Sequence, residues 1–150
     1  MRVELFTLCD GAYNYNGKLT IVGALTTISP ETLPCRIKLG VAMRIQVDSK
    51  NKGTNNMAIN FLDPDGNRLP VDLTVELDVK HTLDTVRPHT SQAGKVVELD
   101  VKHTPDTVSY ITFAADLQGF PIEKEGSHKV VIVIDGETLA TYSYNVKKRG

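Results

Sequence analysis

The residue types best suited to metal chemistry occur in a duplicated segment. VELDVKHTLDTV (residues 75–86) and VELDVKHTPDTV (residues 97–108) agree at eleven of twelve positions, at an offset of 22. The VELDVKH part of each copy carries two carboxylates and a histidine, which are common metal ligands. On an unbroken strand, however, the histidine lies an odd number of residues from either carboxylate and points to the opposite face. The pattern favours a solvated charged face over a metal site at Glu76, Asp78 and His81 or at Glu98, Asp100 and His103.

A second set of oxygen donors alternates in the segment DPDGN. Asp63, Asp65 and Asn67 have the spacing of the first ligands of a calcium loop. Gly66 is fourth rather than sixth, and Thr74 stands where the bidentate glutamate belongs. Since Pro and Gly in this order favour a turn, we interpret the segment as a hairpin turn, with a calcium site as the alternative.

Cys9, which stands beside Asp10, is a candidate nucleophile. A reactive thiolate needs a nearby base or positive charge, and no histidine is close in sequence. We therefore expect a buried structural thiol. Cys35 is the other cysteine, and two cysteines form no disulfide framework, so both are expected to be reduced thiols in a cytoplasm.

Tyr13, Tyr15 and Asn16 form a polar aromatic turn, YNYNG. Tyrosine provides contact area at low entropic cost, which suits a ligand or a partner. The alternative is a hairpin tip whose rings pack on their own strands, since Asn16-Gly17 is a strong turn signal. These three residues are the predicted contact residues.

The element that must position these groups is a strand from Cys35 to Asp48. Every odd position of CRIKLGVAMRIQVD is apolar, which predicts one face in a core and the other mostly in water. We expect a bend or bulge at Gly40, where a side chain is missing.

The rest of the chain has the same strand-and-turn character and no convincing helical period. Because the duplicated segments both alternate apolar and charged residues, they are compatible with an antiparallel pair, or with exchange between molecules. Gln118–His128 is predicted to be a loop and Asp135-Gly136 a hairpin turn. The predicted strands are Met1–Leu8, Leu19–Ile28, Cys35–Asp48, Met57–Leu62, Leu69–Lys80, the two repeats, Ser109–Leu117, Lys129–Ile134 and Glu137–Val146.

Length and strand count together predict one domain, residues 1–150, folded as an antiparallel β-sandwich of nine or ten strands, immunoglobulin-like or jelly-roll-like. Lys and Arg number 17 against 18 for Asp and Glu, without charge runs, so neither nucleic acid nor a membrane surface is an expected partner. The sequence contains neither an export signal nor a long apolar span, and this again predicts a cytoplasmic protein.

Both ends of the chain resemble a bacterial family of short single-domain proteins of uncharacterised function. The matching features are Leu8-Cys9-Asp10, the Gly17-Lys18-Leu19 hairpin, Ile21-Val22-Gly23, and Gly126 leading into residues 131–136. The resemblance implies a β-sandwich in a bacterial cytoplasm and assigns no functional residues or cofactor.

We therefore expect a non-catalytic interaction or assembly module that needs no cofactor and that binds a second copy or a protein partner through its strand edges. A metal- or thiol-dependent enzyme or small-ligand binder is one alternative. A calcium- or lipid-surface-binding module is the other.

Overall fold

Two packed β-sheets make up the protein in the computed structural model, which describes residues 1–15, 18–48, 53–79, 95–103 and 108–150. These residues form ten strands and no helix. The predicted all-β sandwich is confirmed. The strands are β1 (Arg2–Tyr15), β2 (Lys18–Leu25), β3 (Thr27–Ile28), β4 (Cys35–Asp48), β5 (Gly53–Leu62), β6 (Thr74–Val79), β7 (Lys95–His103), β8 (Val108–Ile122), β9 (Gly126–Ile134) and β10 (Glu137–Val146).

Sheet 1 has the order β2-β1-β4-β8-β7, and sheet 2 has the order β3-β10-β9-β5-β6. Ring contacts between the sheets fix how they face each other. Phe6 of β1 stacks on Tyr142 of β10 at 4.5 Å, and Phe61 of β5 meets the edge of Phe120 of β8 at 4.9 Å. Consequently β3, beyond β10, lies on the side of the sandwich formed by β1 and β10, while β6 and β7 lie on the other side.

The main core fills the space between the two sheets, and alternating residues of the long strands supply it. From β4 it receives Leu39, Val41, Met43, Ile45 and Val47, all at most 1% exposed. The predicted strand Cys35–Asp48 is confirmed at both ends. Its irregularity, however, is a register shift against β8 between Ile37 and Leu39, rather than a bulge at Gly40.

The prediction that the second face of β4 lies mostly in water is wrong at its centre. Gly40 and Ala42 point away from the main core, yet both are buried. The reason lies in β1, which continues to Tyr15 instead of ending at Leu8. Its second half and β2 cover this part of β4, as described below.

Further element boundaries differ from the sequence predictions. The predicted strand Leu19–Ile28 is divided into β2 of sheet 1 and β3 of sheet 2, and β5 begins at Gly53 instead of Met57. Leu69, Val71 and Leu73 alternate into the core as predicted, but the regular ladder with β5 starts only at Thr74, because the Val71 N–H donates to the Leu69 carbonyl oxygen in a tight turn at Pro70. The predicted loop Gln118–His128 is reduced to residues 123–125, because β8 runs on to Ile122 and β9 starts at Gly126.

The central strand and the last hairpin agree with the sequence. β9 lies in the middle of sheet 2, between β10 and β5. Asp135 and Gly136 form its turn with φ values of 48° and 83°, as a primed hairpin turn requires.

The described parts of the two repeat copies do not pair with each other. The first supplies β6, which is antiparallel to β5 in sheet 2, and the second supplies β7, which is antiparallel to β8 in sheet 1. The side-by-side arrangement considered from the sequence is therefore wrong for these residues. Among the described strands, each copy is the last of its own sheet.

Candidate interaction surface

A β-hairpin folds back over the outer face of sheet 1, the face directed away from the main core. We call this hairpin, residues 9–15 and 18–25, the arm. β1 pairs with β4 only as far as Cys9 and Gly40, and beyond that point it pairs with β2 alone. The Nδ2 atom of Asn14 then donates to the carbonyl oxygen of Thr112 on β8, at 3.1 Å. The arm is thus attached across β4 to β8.

Glycine at position 40 permits this close approach. A Cβ atom there would lie 2.8 Å from the sulfur of Cys9, 3.0 Å from the Cys9 carbonyl oxygen and 3.2 Å from the Cα of Gly11. All three distances are shorter than ordinary carbon contacts. A side chain at position 40 would push the arm away from β4.

Small side chains fill the space beneath the arm. Cys9, Ala12, Ala42 and Ala114 form a separate cluster, all at most 4% exposed, and Leu19 and Ile21 of β2 pack against it. In an antiparallel pair, residues directly opposite share a face, and Ala12 is opposite Ile21. One face of the arm is therefore directed at sheet 1.

The other face of the arm is directed at solvent. Tyr13 lies opposite Thr20, and Gly11 lies opposite Val22. Tyr13 is 46% exposed, Tyr15 73% and Val22 53%, which places three of the four large exposed apolar side chains among the described residues on one surface. We call Tyr13, Tyr15 and Val22 the exposed arm surface.

Tyr13 and Tyr15 were predicted as contact residues from the sequence, whereas Val22 was not. The Tyr13 hydroxyl lies 3.1 Å from where a Cβ of Gly11 would stand, so this ring does lie along its own strand, yet nearly half of it stays accessible. Asn16, the third predicted contact residue, lies outside the described residues. The signal for Val22 was its pairing position opposite Gly11, which only the hairpin register shows.

Strand β2 is an edge strand, because among the described strands it pairs only with β1. Residues 18–29, which comprise β2 and the residues directly after it, contain one charged residue, Lys18, and no proline. Gly23 has a φ of 65°, and the Asp10 carboxylate fills the space where a Cβ would be. Natural edge strands usually carry charges or proline that discourage pairing with another chain, and β2 has few of these features.

Cys9 is buried, as expected, and its environment opposes ionisation. Burial, then the nearby carboxylates of Asp116 and Asp10, raise the pKa of the Cys9 thiol from 9.0 to about 11. A thiol with this pKa is neutral near pH 7 and is a poor nucleophile. Both Cys9 and Cys35 are free.

The segment Asp63–Asn67 is a turn held by its own backbone and by a lysine. Oδ1 of Asp63 accepts the backbone N–H groups of Asp65 and Asn67, both at 2.9 Å. The ammonium of Lys124 lies 2.7 Å from Asp65 and 3.4 Å from Asp63. Burial alone raises the pKa of Asp63, but these two N–H groups and Lys124 outweigh it and hold the pKa below its ordinary value.

This arrangement favours the turn interpretation over the calcium alternative. The Lys124 ammonium already pairs with the two carboxylates that calcium would need. Lys124 lies 61 residues from Asp63 in sequence, so the spacing of DPDGN contained no signal for this lysine. Side chains of the described residues form no group of three or more His, Cys, Asp or Glu suited to a metal ion.

The duplicated metal candidates fall mostly outside the described side chains. Glu76 is partly buried in β6. His81 lies outside the described residues, and the side chains of Asp78, Glu98, Asp100 and His103 are not described.

Comparison with known protein families assigns this chain to a family. A family model described as a family of unknown function (DUF6941) matches residues 4–147. The chain belongs to the DUF6941 family. The DUF6941 match runs through the arm, both sheets and the duplicated region, so it confirms the resemblance to a family of unknown function and extends it through the middle of the chain.

No curated protein matches this DUF6941 chain. In the described part of the chain, no helix has the length and apolar character needed to cross a membrane.

Proposed function

We propose that this protein is a non-catalytic interaction module that binds a second copy of itself through β2 and the exposed arm surface. The observation that carries the proposal is the juxtaposition of an edge strand with few protective charges and three exposed apolar side chains on the same hairpin. Addition of a strand supplies backbone hydrogen bonds, and side chains on the strand face supply specificity.

The exposed arm surface has the composition of a contact site. Tyrosine is enriched at protein interfaces because it combines a large apolar ring with a hydroxyl and has few rotatable bonds. Tyr15, at 73% exposed, has most of its ring available to a partner. Attachment of the arm to sheet 1 through Asn14 and the alanine cluster holds these rings in place before binding. Such preorganisation lowers the entropic cost of association.

Charge placement in β2 suits a second copy as the partner. A two-fold antiparallel pairing of β2 with β2 places one residue opposite its own counterpart, because opposite residues share a face. With Val22 at this centre, Lys18 lies opposite Thr26 of the second copy, and the two lysines are separated by roughly 27 Å along the strands, because each residue adds about 3.4 Å. No like charges meet at this contact.

The surroundings of Cys9 support a non-catalytic role. Its raised pKa keeps the thiol neutral, and the arm covers it. The two free thiols also support our placement of the protein in a reducing compartment, which we take to be a bacterial cytoplasm.

Sedimentation velocity over about three decades of concentration tests the proposal, because dimerisation follows mass action. We expect a reversible dimer of the wild type, weakened at least tenfold by Val22→Lys and by the double variant Tyr13→Ala/Tyr15→Ala. Leu5→Lys is the matched control, because Leu5 is 41% exposed on β1 but lies outside the arm. A wild type that stays monomeric at about 1 mM, or a dimer that Val22→Lys leaves unchanged, would overturn the proposal.

A further inference from the structure

One side of the sandwich ends in two strands of nearly the same sequence. β6 contains VELDV of the first repeat, and β7 contains VELDVKH of the second. They belong to different sheets, and among the described strands each is the last of its sheet. The ring contact between Phe61 and Phe120 places β5 opposite β8, so β6 and β7 follow on the same side.

The first copy is in a register that directs its apolar residues to the core. Val75 lies opposite Met57, and Leu77 lies opposite Asn55. Val75, Leu77 and Met57 are completely buried.

The second copy is in the equivalent register on the other sheet. Val97, the counterpart of Val75, lies opposite Ala115, and Leu99, the counterpart of Leu77, lies opposite Phe113. Ala115 and Phe113 are completely buried. The same sequence in the same register therefore completes both sheets against one core.

We infer that the β5 and β8 edges each accept a VELDV strand from a second copy of this chain, so that two copies can exchange these strands. Either repeat satisfies the pairing of either edge, because the residues at the paired positions are the same in both. In the exchanged form β6 or β7 of one copy occupies the corresponding place in the other. Exchange of identical elements is an established route to dimers.

Mass action sets when exchange is populated. A strand tethered in the same chain acts at an effective concentration of the order of mM, so it outcompetes a dilute second copy. Exchange is therefore favoured when the chain refolds at a concentration near about 1 mM. The β5 and β8 edges are distinct from the edge of β2, so this inference does not depend on the function proposed above.

A peptide tests the inference directly. In the variant Val97→Asp/Leu99→Asp, the second repeat carries charges at positions opposite Ala115 and Phe113, which should weaken its pairing with β8. We expect the peptide VELDVKHT, with both ends blocked, to bind this variant one to one and to raise its melting temperature. The control peptide VVLEDKHT has the same composition but its three apolar residues are consecutive, so no register directs all three to the core, and we expect at least tenfold weaker binding. A folded variant that binds the two peptides equally, or neither, would overturn the inference.

A second measurement applies if this variant does not fold. The full chain carrying Val22→Lys, which removes the contact through β2, is refolded from urea at about 10 μM and at about 1 mM. We expect dimers by native mass spectrometry only at the higher concentration. Excess VELDVKHT during refolding should suppress them, whereas VVLEDKHT should not. Refolding that yields monomer alone at both concentrations, or dimers that VELDVKHT does not affect, contradicts strand exchange.

Discussion

Substitution of Gly40 by alanine should detach or displace the arm. A Cβ at this position would lie 2.8 Å from the Cys9 sulfur and 3.0 Å from the Cys9 carbonyl oxygen. Overpacking of this kind costs about 1–3 kcal/mol. Gly40 has no positive φ, so alanine brings no backbone strain and regains about 0.4–1 kcal/mol by restricting the unfolded chain. The steric cost is larger, and we expect a net loss of about 1–2 kcal/mol.

The assay is urea unfolding followed by far-ultraviolet circular dichroism, because the chain contains no tryptophan. For a chain of this length, the expected loss lowers the melting temperature by about 3–6 °C. A double-mutant cycle locates the cause. Cys9→Ala removes the sulfur, so the cost of Gly40→Ala should fall by about 0.5–1 kcal/mol in the double variant. It should not vanish, since the Cys9 carbonyl and the Gly11 Cα remain close.

The control is Ala42→Gly, which removes a buried methyl group beneath the arm without creating a clash. The reasoning about close approach is refuted if Gly40→Ala changes the free energy of unfolding by less than about 0.5 kcal/mol, or if its effect simply adds to that of Cys9→Ala.

Four further predictions concern other groups of the molecule. A disulfide reagent such as dithiodipyridine should label Cys35 in the native protein at pH 8 and Cys9 only on unfolding; equal labelling rates would contradict the burial of Cys9. Because the folded-state pKa of Cys9 is raised to about 11, the neutral thiol contributes stability below about pH 9 that is lost as pH rises toward 11. The difference in unfolding free energy between wild type and Cys9→Ala should therefore change by about 2–3 kcal/mol over that window, and parallel pH profiles would exclude it. Phe61→Ala and Phe120→Ala should each cost about 3–5 kcal/mol and show a coupling of about 0.5–1.5 kcal/mol in urea unfolding; strict additivity would contradict their ring contact. Lys124→Ala should leave the melting temperature insensitive to millimolar calcium, since Oδ1 of Asp63 is already engaged by two N–H groups, whereas a calcium-dependent rise would restore the calcium alternative.

The strands were predictable where period-two alternation is long. The pattern from Cys35 to Asp48 predicted β4 to the residue, because each alternate side chain enters the core. Turn chemistry likewise placed Asp135 and Gly136. Between Leu69 and Leu73 the same alternation was present without a regular ladder, since burial requires only the period, while the Val71 N–H bonds back to the Leu69 carbonyl oxygen in a turn at Pro70.

The arm was not predictable from local pattern. Gly40 and Ala42 read as positions facing water because small residues carry no signal of what covers them. Their burial results from residues far away in sequence, chiefly Gly11 and Ala12. Tyr13 and Tyr15 were recognisable as contact residues from their type, whereas Val22 needed the hairpin register, and Lys124 needed the tertiary fold.

The arm also gives the molecule a unit that can open by itself. The cluster beneath it consists mainly of a cysteine and three alanines, so lifting the arm exposes little apolar area compared with separating the two sheets. Local opening then costs less free energy than global unfolding, and amides of residues 11–15 should exchange with solvent hydrogen faster than those of β4 and β9. During such an opening the Cys9 thiol meets water and the Asn14 amide leaves Thr112 while the main core stays closed.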